Sequence, residues 1–185
     1  VLPKLSLSPN FFTSPGLAFG FAGKEVPTME GRTHNVHARI ASKGSPWYQA
    51  MREAAASAME AIQTEGVVTG ANAPWRQYME EMRGSKVCFS PFGYGEVCWR
   101  DIEAFKVGAA HLKPDMSHLD TLPDLYVPGE TYEPIAWDNS DLGEKLLALL
   151  GDEERRRHMT QTAFMKVKTY LETEQFVEDM AFLFE

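Results

Sequence analysis

A pair of glycines before a predicted helix is the part of this sequence best suited to bind an anion. Gly93 and Gly95 follow a short apolar run at residues 87–89, and glycine lets the main chain turn sharply and approach a ligand closely. The pattern from Trp99 to Val107 predicts a helix, whose first N–H groups are unpaired and lie at the positive end of the helix dipole. This order of elements predicts a phosphate site, although Gly93, Tyr94 and Gly95 are also compatible with a simple tight turn.

Two basic residues are candidates for contact with the same phosphate. Arg100 lies in the first turn of the predicted helix, where a cation is unfavourable for the helix dipole. We therefore expect Arg100 to pair with an external anion or with a neighbouring carboxylate. Lys43 lies in the loop after the first predicted strand, and it is either a second phosphate contact or an exposed lysine.

Several acidic and polar residues are suited to binding the hydroxyl groups of a ribose or a sugar. Glu96 and Glu103 are seven residues apart, so they share a helix face if Glu96 lies at the helix start. An ionised carboxylate accepts hydrogen bonds from paired hydroxyls, and the alternative for Glu103 is a solvated helix residue. Asp115, Ser117 and His118 follow the next predicted strand, where they either contact a sugar hydroxyl or close a turn.

Neither a metal site nor a dinucleotide fingerprint is favoured. The spacing from Gly93 to Asp115 is about that of an NAD-binding motif, but Cys98 replaces the third glycine and the unit lies in the middle of the chain. Two histidines three apart in a presumed strand face opposite sides, and no further ligands accompany any histidine. We therefore predict no protein-bound metal at the histidines, which are His34, His37, His111, His118 and His158.

Composition is typical of a folded domain and excludes several classes of function. Hydrophobic residues make up 44% and charged residues 24% of the chain, and the net charge is −8. That charge disfavours a general nucleic-acid or anionic-membrane surface. No run approaches the roughly 20 apolar residues of a membrane span, and no signal peptide is recognisable. Cys88 and Cys98 are too few for a disulfide scaffold and fit as small core or loop residues, so we expect a reduced, cytoplasmic setting.

The length of 185 residues predicts one domain, or one domain with an appended segment. Residues 1–31 are rich in Pro, Gly, Ser and Phe, and we expect them to wrap the domain surface or to link to an upstream part. Residues 32–185 form the predicted domain. The chain begins at Val1 without an initiator methionine, which suggests a piece of a longer protein.

The predicted elements alternate between strand and helix. Strands are predicted at residues 32–41, 67–68, 87–89 and 109–112, with short extended pieces at 125–127 and 132–136. Helices are predicted at residues 46–62, 74–84, 99–107, 141–151, 152–171 and 173–184. Ser45 caps the first helix, with Pro46 at its first position, and Asp141 with Glu144 forms a capping box. The inward faces of the first two helices are expected to carry Trp47, Met51, Ala54, Ala55, Ala58 and Ile62, and then Trp75, Met79 and Met82.

This alternation predicts an α/β fold, a Rossmann-like parallel sheet with helices on both faces. In such sheets the ligand sits at the carboxyl ends of the strands. The loops at residues 42–44, 92–96 and 115–118 should therefore converge on one edge of the sheet.

The central sequence, SPFGYGEVCWRDIEAFKVGAAHLKPDMSHLDTLPDLYVPGETYEPIAWDNSDL, resembles the C-terminal half of GT-B-fold glycosyltransferases. It is most similar to the bacterial group-one-like proteins of polysaccharide and surface-glycan assembly. The flanking segments GSPWYQAMREAAASAM and DEERRRHMTQTAFMKVKTYL fit the same pattern, so the resemblance covers about residues 32–171.

The resemblance implies a domain that binds a nucleotide-diphosphate sugar without a tightly bound metal or cofactor. Glu103 matches the glutamate that holds the ribose in this superfamily. The first glutamate of the family pattern falls at Gly95, and the nearest acid here, Glu96, is one position late. Lys43 and Arg100 are the expected diphosphate contacts. An N-terminal GT-B half, either upstream or in a separate chain, would supply the acceptor site.

The function expected from these features is the donor-binding half of a glycosyltransferase. It would transfer a sugar from a nucleotide diphosphate to a glycan, lipid or protein acceptor, with Glu96 and Arg100 as catalytic residues. The expected donor-binding residues are Lys43, Gly93, Tyr94, Gly95, Arg100, Glu103, Asp115, Ser117 and His118. The alternative is a non-catalytic nucleotide-sugar-binding or scaffold module of the same fold.

Overall fold

The computed structural model describes residue 16 and residues 20–183, which form strands alternating with helices. The strands are β1 (His34–His37), β2 (Val67–Val68), β3 (Ser85–Phe89), β4 (Ala110–Pro114) and β5 (Glu133–Ile135). The helices are α1 (Pro46–Glu60), α2 (Trp75–Arg83), α3 (Trp99–Val107), α4 (Leu142–Gly151), α5 (Glu153–Glu172) and α6 (Gln175–Asp179), followed by a 3₁₀ turn at Ala181–Leu183.

The described strands form one parallel sheet in the order β2-β1-β3-β4-β5. Val36 of β1 pairs with Val67 of β2 on one side and with Val87 of β3 on the other. The chain therefore runs outward from β1 to β2 and then returns across β1 to begin β3. This reversal makes the carboxyl ends of β1 and β3 the topological switch point of the sheet, where open α/β folds bind ligands.

Helices cover both faces of the sheet, because the strands are apolar on both sides. On one face, α1 and α4 pack on the strands through side chains such as Met59 and Leu146. On the other face, α3 and α5 meet through Ile102 and Phe164, while α2 contributes Met82 beside α3. The predicted Rossmann-like α/β fold is confirmed, and α3 has the predicted bounds, ending at Gly108 with the left-handed φ of +68°.

The predicted inward faces of α1 and α2 are wrong in part. Trp47 and Trp75, expected to face inward, are exposed by 57% and 60%. Ala54 is also exposed, whereas Arg52 of the same helix is buried. Ser45 occupies the N-cap position of α1 but makes no capping hydrogen bond.

Two further helix predictions are wrong in detail. Asp141 precedes α4 but does not cap it, because its carboxylate accepts a hydrogen bond from the Ala136 backbone N–H at 2.7 Å. The predicted final helix is broken, since Glu174 has a left-handed φ of 54° and, of the described residues beyond it, only Gln175–Asp179 is α-helical.

The described end of the lead-in segment packs against α5. Phe21 is fully buried, with its ring 5.0 Å from that of Phe164, and the Gly23 N–H donates to Glu172 at 3.0 Å. Most of the predicted lead-in lies outside the described residues. In the part of the chain that is described, no helix is long and apolar enough to cross a membrane.

Candidate functional site

Loops after β1, β3, β4 and β5 meet at the carboxyl edge of the sheet. Gly44, after β1, lies directly against the hydroxyl of Tyr94 in the glycine loop. In the same loop, Phe92 contacts Trp137, which follows β5, with ring centroids 5.4 Å apart. Trp137 in turn contacts His118, after β4, at 4.9 Å. The three loops predicted to converge are therefore neighbours on one edge.

A cavity of about 420 Å³ opens at the switch point between β1 and β3. Its walls come from the ends of both strands and from the helices that follow β1, β2 and β3. The lining residues are Ala41, Tyr48, Arg52, Ala71, Asn72, Ala73, Trp75, Tyr78, Ser90, Pro91, Gly93, Cys98, Trp99, Arg100 and Glu103. Three predicted site residues, Gly93, Arg100 and Glu103, are thus brought together in this cavity.

Glu103 presents a carboxylate to the cavity from the middle of α3. Glu103 is only 5% exposed, and its Oε2 accepts a hydrogen bond from the Tyr78 hydroxyl at 3.0 Å. Burial raises the pKa of Glu103, an effect that the Tyr78 hydrogen bond and the Arg100 charge oppose. No other hydrogen bond reaches this carboxylate within the described chain, so Oε1 has free acceptor capacity.

Arg100 joins the ends of β1 and β3. Its guanidinium donates to the backbone oxygen of Arg39 at 2.5 Å, to that of Phe89 at 3.4 Å and to the Tyr78 hydroxyl at 3.2 Å. Arg100 was expected to pair with an external anion or with a neighbouring carboxylate. Among the described residues no carboxylate binds it directly, and it donates to backbone carbonyls instead. A guanidinium has five N–H donors in a fixed fork, so Arg100, which lines the cavity, keeps N–H donors that these three bonds do not use.

The glycine loop differs from expectation in its backbone. Neither Gly93 nor Gly95 has a left-handed φ. A side chain at position 93 would lie 3.2 Å from the Cys98 sulfur, whereas one at position 95 would meet nothing within 4 Å. Glycine at 93 therefore allows a close approach to Cys98, and Gly95 is sterically unconstrained.

The start of α3 still offers unpaired donors beside the cavity. Cys98 is its N-cap, and the N–H of Asp101 donates to the Cys98 backbone oxygen at 3.0 Å. The backbone N–H groups of Trp99 and Arg100 have no acceptor among the residues that the structure describes. Both residues line the cavity, so these N–H groups lie where an anion would be stabilised.

Beneath the glycine loop lies a buried charge cluster that sequence reasoning missed. Asp101 is fully buried and accepts hydrogen bonds from the Ser90 hydroxyl at 2.7 Å and the Tyr126 hydroxyl at 2.6 Å. It also pairs with Lys113 and His111, each at 3.2 Å and each with no exposed side-chain surface. Burial would raise the pKa of Asp101, but Lys113 and His111 hold it well below its ordinary value.

This cluster fixes the loop from below. Asp101 Oδ2 accepts from the Cys98 N–H at 2.9 Å, and the Lys113 ammonium lies 5.0 Å from the centre of the Phe92 ring. The signal in the sequence was the polar pair His111 and Lys113 within an apolar strand. Because strand residues two apart face the same side, both could have been assigned to the face that α3 covers.

The remaining predicted site residues lie outside the cavity lining. Lys43, Tyr94 and Gly95 are exposed on the same edge of the sheet. Glu96 precedes α3 by three residues and is in the loop, so the condition under which it would share a helix face with Glu103 is not met. Their ligand contacts stay predictions.

The segment after β4 closes a turn, one of its two expected roles. Asp115 accepts from the Ser117 hydroxyl at 2.6 Å, from the Ser117 N–H at 3.1 Å and from the Tyr132 hydroxyl at 3.2 Å. These bonds lower the pKa of Asp115, and the bond from the Ser117 hydroxyl has the largest effect. Ser117 and His118 are exposed, and a contact between this segment and a sugar stays a prediction.

Metal-ligating groups are not gathered in the described part of the chain, where no three His, Cys, Asp or Glu residues are placed to hold an ion. His37 lies beneath the cavity and contacts the Tyr78 ring edge-on at 4.9 Å. Burial lowers the pKa of His37 to about 4, with Arg100 contributing, so this ring is neutral at physiological pH.

A second, larger cavity of about 690 Å³ lies away from this edge. It is a shallow groove along the outer face of α5, lined by residues such as Met165 and Lys166 and by Asp124. No strand end, glycine loop or buried carboxylate contributes to it. Chemistry therefore favours the smaller cavity at the switch point as the candidate site.

Comparison with known proteins supports the fold and adds no sequence family. No protein-family profile and no curated protein matches the sequence. A solved structure described as a UDP-N-acetylglucosamine 2-epimerase from Listeria monocytogenes is similar, with 16% identity, a TM-score of 0.51 and coverage of 91% of this chain and 51% of that one. A GtfA/B complex aligns with 11% identity, a TM-score of 0.46, and 83% and 37% coverage.

The likeness to the epimerase structure gives a GT-B-like fold, which the resemblance of the sequence had implied. The chain spans about half the length of the epimerase structure that it matches. The second alignment, at its lower TM-score, adds nothing to the fold assignment.

Proposed function

We propose that this chain is the donor-binding half of a glycosyltransferase and binds a nucleotide-diphosphate sugar in the switch-point cavity. The observation that carries the proposal is the position of Glu103, a nearly buried carboxylate with a free acceptor oxygen, in a cavity at the carboxyl ends of β1 and β3. Open α/β sheets bind nucleotides at this place.

Glu103 is the proposed ribose contact. Its Oε2 is held by Tyr78, and its remaining acceptor positions suit the two adjacent hydroxyls of a ribose. Trp75 lines the same cavity and stacks on Tyr78 with ring centroids 5.8 Å apart. Its exposed face offers an aromatic surface beside the proposed ribose position.

The diphosphate would lie against the start of α3. The unpaired N–H groups of Trp99 and Arg100, the free donors of the Arg100 guanidinium and the exposed Lys43 would stabilise its negative charge. The same groups would stabilise the charge that develops when the diphosphate departs, because they are already oriented before the reaction.

In the proposed reaction the bond between the anomeric carbon and the diphosphate oxygen breaks. The acceptor hydroxyl oxygen forms the new glycosidic bond, its proton passes to a base of the acceptor-binding half or to the departing diphosphate, and the nucleoside diphosphate leaves. Arg100 and Glu96 are the proposed catalytic residues on this side, with Asp115, Ser117 and His118 towards the sugar. A second half, upstream or in a separate chain, would bind the acceptor, and a cytoplasmic role in polysaccharide assembly fits this reaction.

Titration calorimetry with UDP, GDP and ADP and their sugar conjugates tests the proposal. Glu103→Gln should weaken the nucleotide that binds by about 1–3 kcal/mol, the range for a lost hydrogen bond to a charged group, which is roughly 5- to 150-fold in Kd. Glu53→Gln is the matched control, since Glu53 is exposed on α1. Equal affinities of wild type and Glu103→Gln, with the fold intact, would contradict the ribose assignment.

The second candidate is a non-catalytic nucleotide-sugar or scaffold module. It is favoured by the span of the chain, which matches about half of a similar structure and would by itself form one wall of a two-domain cleft. Binding of a nucleotide sugar without transfer by the full-length protein would support this candidate. No binding by any nucleotide at millimolar concentration would leave only a scaffold role.

A further inference from the structure

All four tryptophans of the sequence lie exposed on the carboxyl edge of the sheet. Trp47 follows β1, Trp75 follows β2, Trp99 follows β3 and Trp137 follows β5, and their exposures lie between 57% and 60%. Tyr94, in the glycine loop, is exposed by 68%. Large aromatic side chains are usually mostly buried, and a concentration of exposed ones marks a binding surface.

Three of the aromatic residues form an ordered platform on this edge. The rings of Tyr48 and Tyr94 are stacked, with centroids 4.3 Å apart and planes 1° from parallel. Trp47 meets both rings edge-on, each at 5.9 Å. We name Trp47, Tyr48 and Tyr94 the aromatic platform.

The fold holds the platform in place from two sides. Arg52 is buried, and its guanidinium donates to the backbone oxygens of Ala41 and Phe92 while lying 5.7 Å from the centre of the Tyr48 ring. Gly44, with φ of +143°, passes so close to the Tyr94 hydroxyl that a side chain there would overlap it. The stacked arrangement therefore depends on backbone geometry as well as on the rings.

The chemistry of the platform selects a neutral ligand with a flat apolar face. Aromatic faces carry partial negative charge, so they attract the polarised C–H bonds that cover the face of a pyranose ring. The platform itself has no ionised group, and the net charge of −8 opposes a polynucleotide. A proline-rich peptide would need a groove between several aromatic ridges, whereas the stacked rings form a single flat surface.

The platform is continuous with the switch-point cavity. Tyr48 belongs to the platform and also lines the cavity, while Tyr94 lies outside the lining. A ligand on the outer face of Tyr94 would therefore sit beside the proposed nucleotide-sugar position without occupying it.

We propose that the aromatic platform is a saccharide-binding subsite, which stacks a pyranose ring of a glycan on the outer face of Tyr94 next to the cavity. This inference rests on the proposed function only for the role of the bound glycan as acceptor or product. The favoured ring has equatorial hydroxyls, as in β-linked glucose, because its axial C–H bonds then cover both faces.

Cellotetraose is the probe, used with the whole chain and followed by calorimetry and by the aromatic ¹H–¹³C NMR resonances of Tyr94 and Tyr48. We expect binding in the millimolar range, with shifts at these two rings. Tyr94→Ala should weaken it about two- to tenfold, from the typical strength of an aromatic stacking contact. Tyr94→Phe, which keeps the ring, should bind as wild type. Phe182→Ala removes another exposed aromatic, which is 43% exposed and is not part of the platform, and it should have no effect.

The outcomes separate this inference from the proposed function, because nucleotide binding is measured independently with UDP, GDP and ADP. Nucleotide binding without any response to cellotetraose would overturn the saccharide subsite alone. Cellotetraose binding without any nucleotide binding would support the subsite and overturn the donor role. Saccharide binding that Tyr94→Ala leaves unchanged, or binding of a proline-rich peptide in place of cellotetraose, would also overturn the inference.

Discussion

Replacing Asp101 by asparagine tests whether the buried charge cluster holds the candidate site together. The substitution keeps the shape of the side chain but removes its negative charge. The Lys113 ammonium, which has no exposed surface and pairs with Asp101 at 3.2 Å, would be left without a compensating charge. The carboxylate now accepts hydrogen bonds from Ser90, Cys98 and Tyr126. The amide NH₂ group of asparagine is itself a donor, so it could not accept the bonds on its side.

The expected loss of stability follows from that geometry. Breaking a buried ion pair by removing one partner costs about 3–5 kcal/mol, since a charge remains buried and unpaired. Whole domains have unfolding free energies of about 5–15 kcal/mol, so this one change should remove a large share. Replacing both charged partners, in Asp101→Asn with Lys113→Met, should restore more than half of the loss, because no unpaired ammonium remains.

Urea unfolding monitored by circular dichroism gives the free energies for the wild type, both single variants and the double variant. The non-additive part of this cycle measures the coupling between the two side chains. A loss below about 1 kcal/mol in Asp101→Asn, or a double variant as unstable as the sum of the two single variants, would refute the uncompensated-charge argument.

Two further predictions concern the acid sensitivity of the fold and the glycine after β1. Glu81 forms a two-point pair with Arg39, at 2.5 and 2.8 Å, and this hydrogen bonding lowers the pKa of Glu81 from 4.5 to about 2. Because the pKa is depressed, ionised Glu81 stabilises the fold above the unfolded pKa of 4.5, and this stability is lost as the pH falls towards 2. The full shift corresponds to about 3 kcal/mol, and solvent screening of the partly exposed pair reduces the expected loss to about 1–2 kcal/mol. Unfolding curves of Glu81→Gln at several pH values should lack that loss. Gly44→Ala should lower stability by about 1–2 kcal/mol through its left-handed φ and displace Tyr94, seen as altered ring-current shifts of Tyr48. Gly95→Ala, which meets nothing within 4 Å, should change neither quantity.

Local patterns were enough to predict the elements that position the site. The bounds of α3 could be predicted because an apolar periodicity ends at a glycine, and Gly108 has the left-handed φ that only glycine adopts easily. The parallel sheet followed from strands alternating with helices. The neighbouring positions of the loops after β1 and β3 followed in turn, because the carboxyl ends of parallel strands share one edge.

The partners of individual polar side chains could not be predicted from the sequence. Arg100 was expected to meet an anion or a carboxylate, but it donates to the carbonyls of Arg39 and Phe89, which lie 61 and 11 residues away. Trp47 and Trp75 fit the apolar faces of α1 and α2 by periodicity, yet both are exposed. Each lies in the first turn of its helix, and that turn begins at the edge of the sheet, before the part of the helix that packs on the strands.

The sequence by itself determined the class of fold and the place of the candidate site, since hydrophobic period, glycine stops and strand–helix alternation act over short stretches of chain. Only the tertiary structure decided which groups face the cavity, that Glu103 bonds to Tyr78, and that Asp101, His111 and Lys113 are buried together. The physical reason is that desolvation and charge pairing depend on side chains brought together from distant elements, and no local pattern records those neighbours.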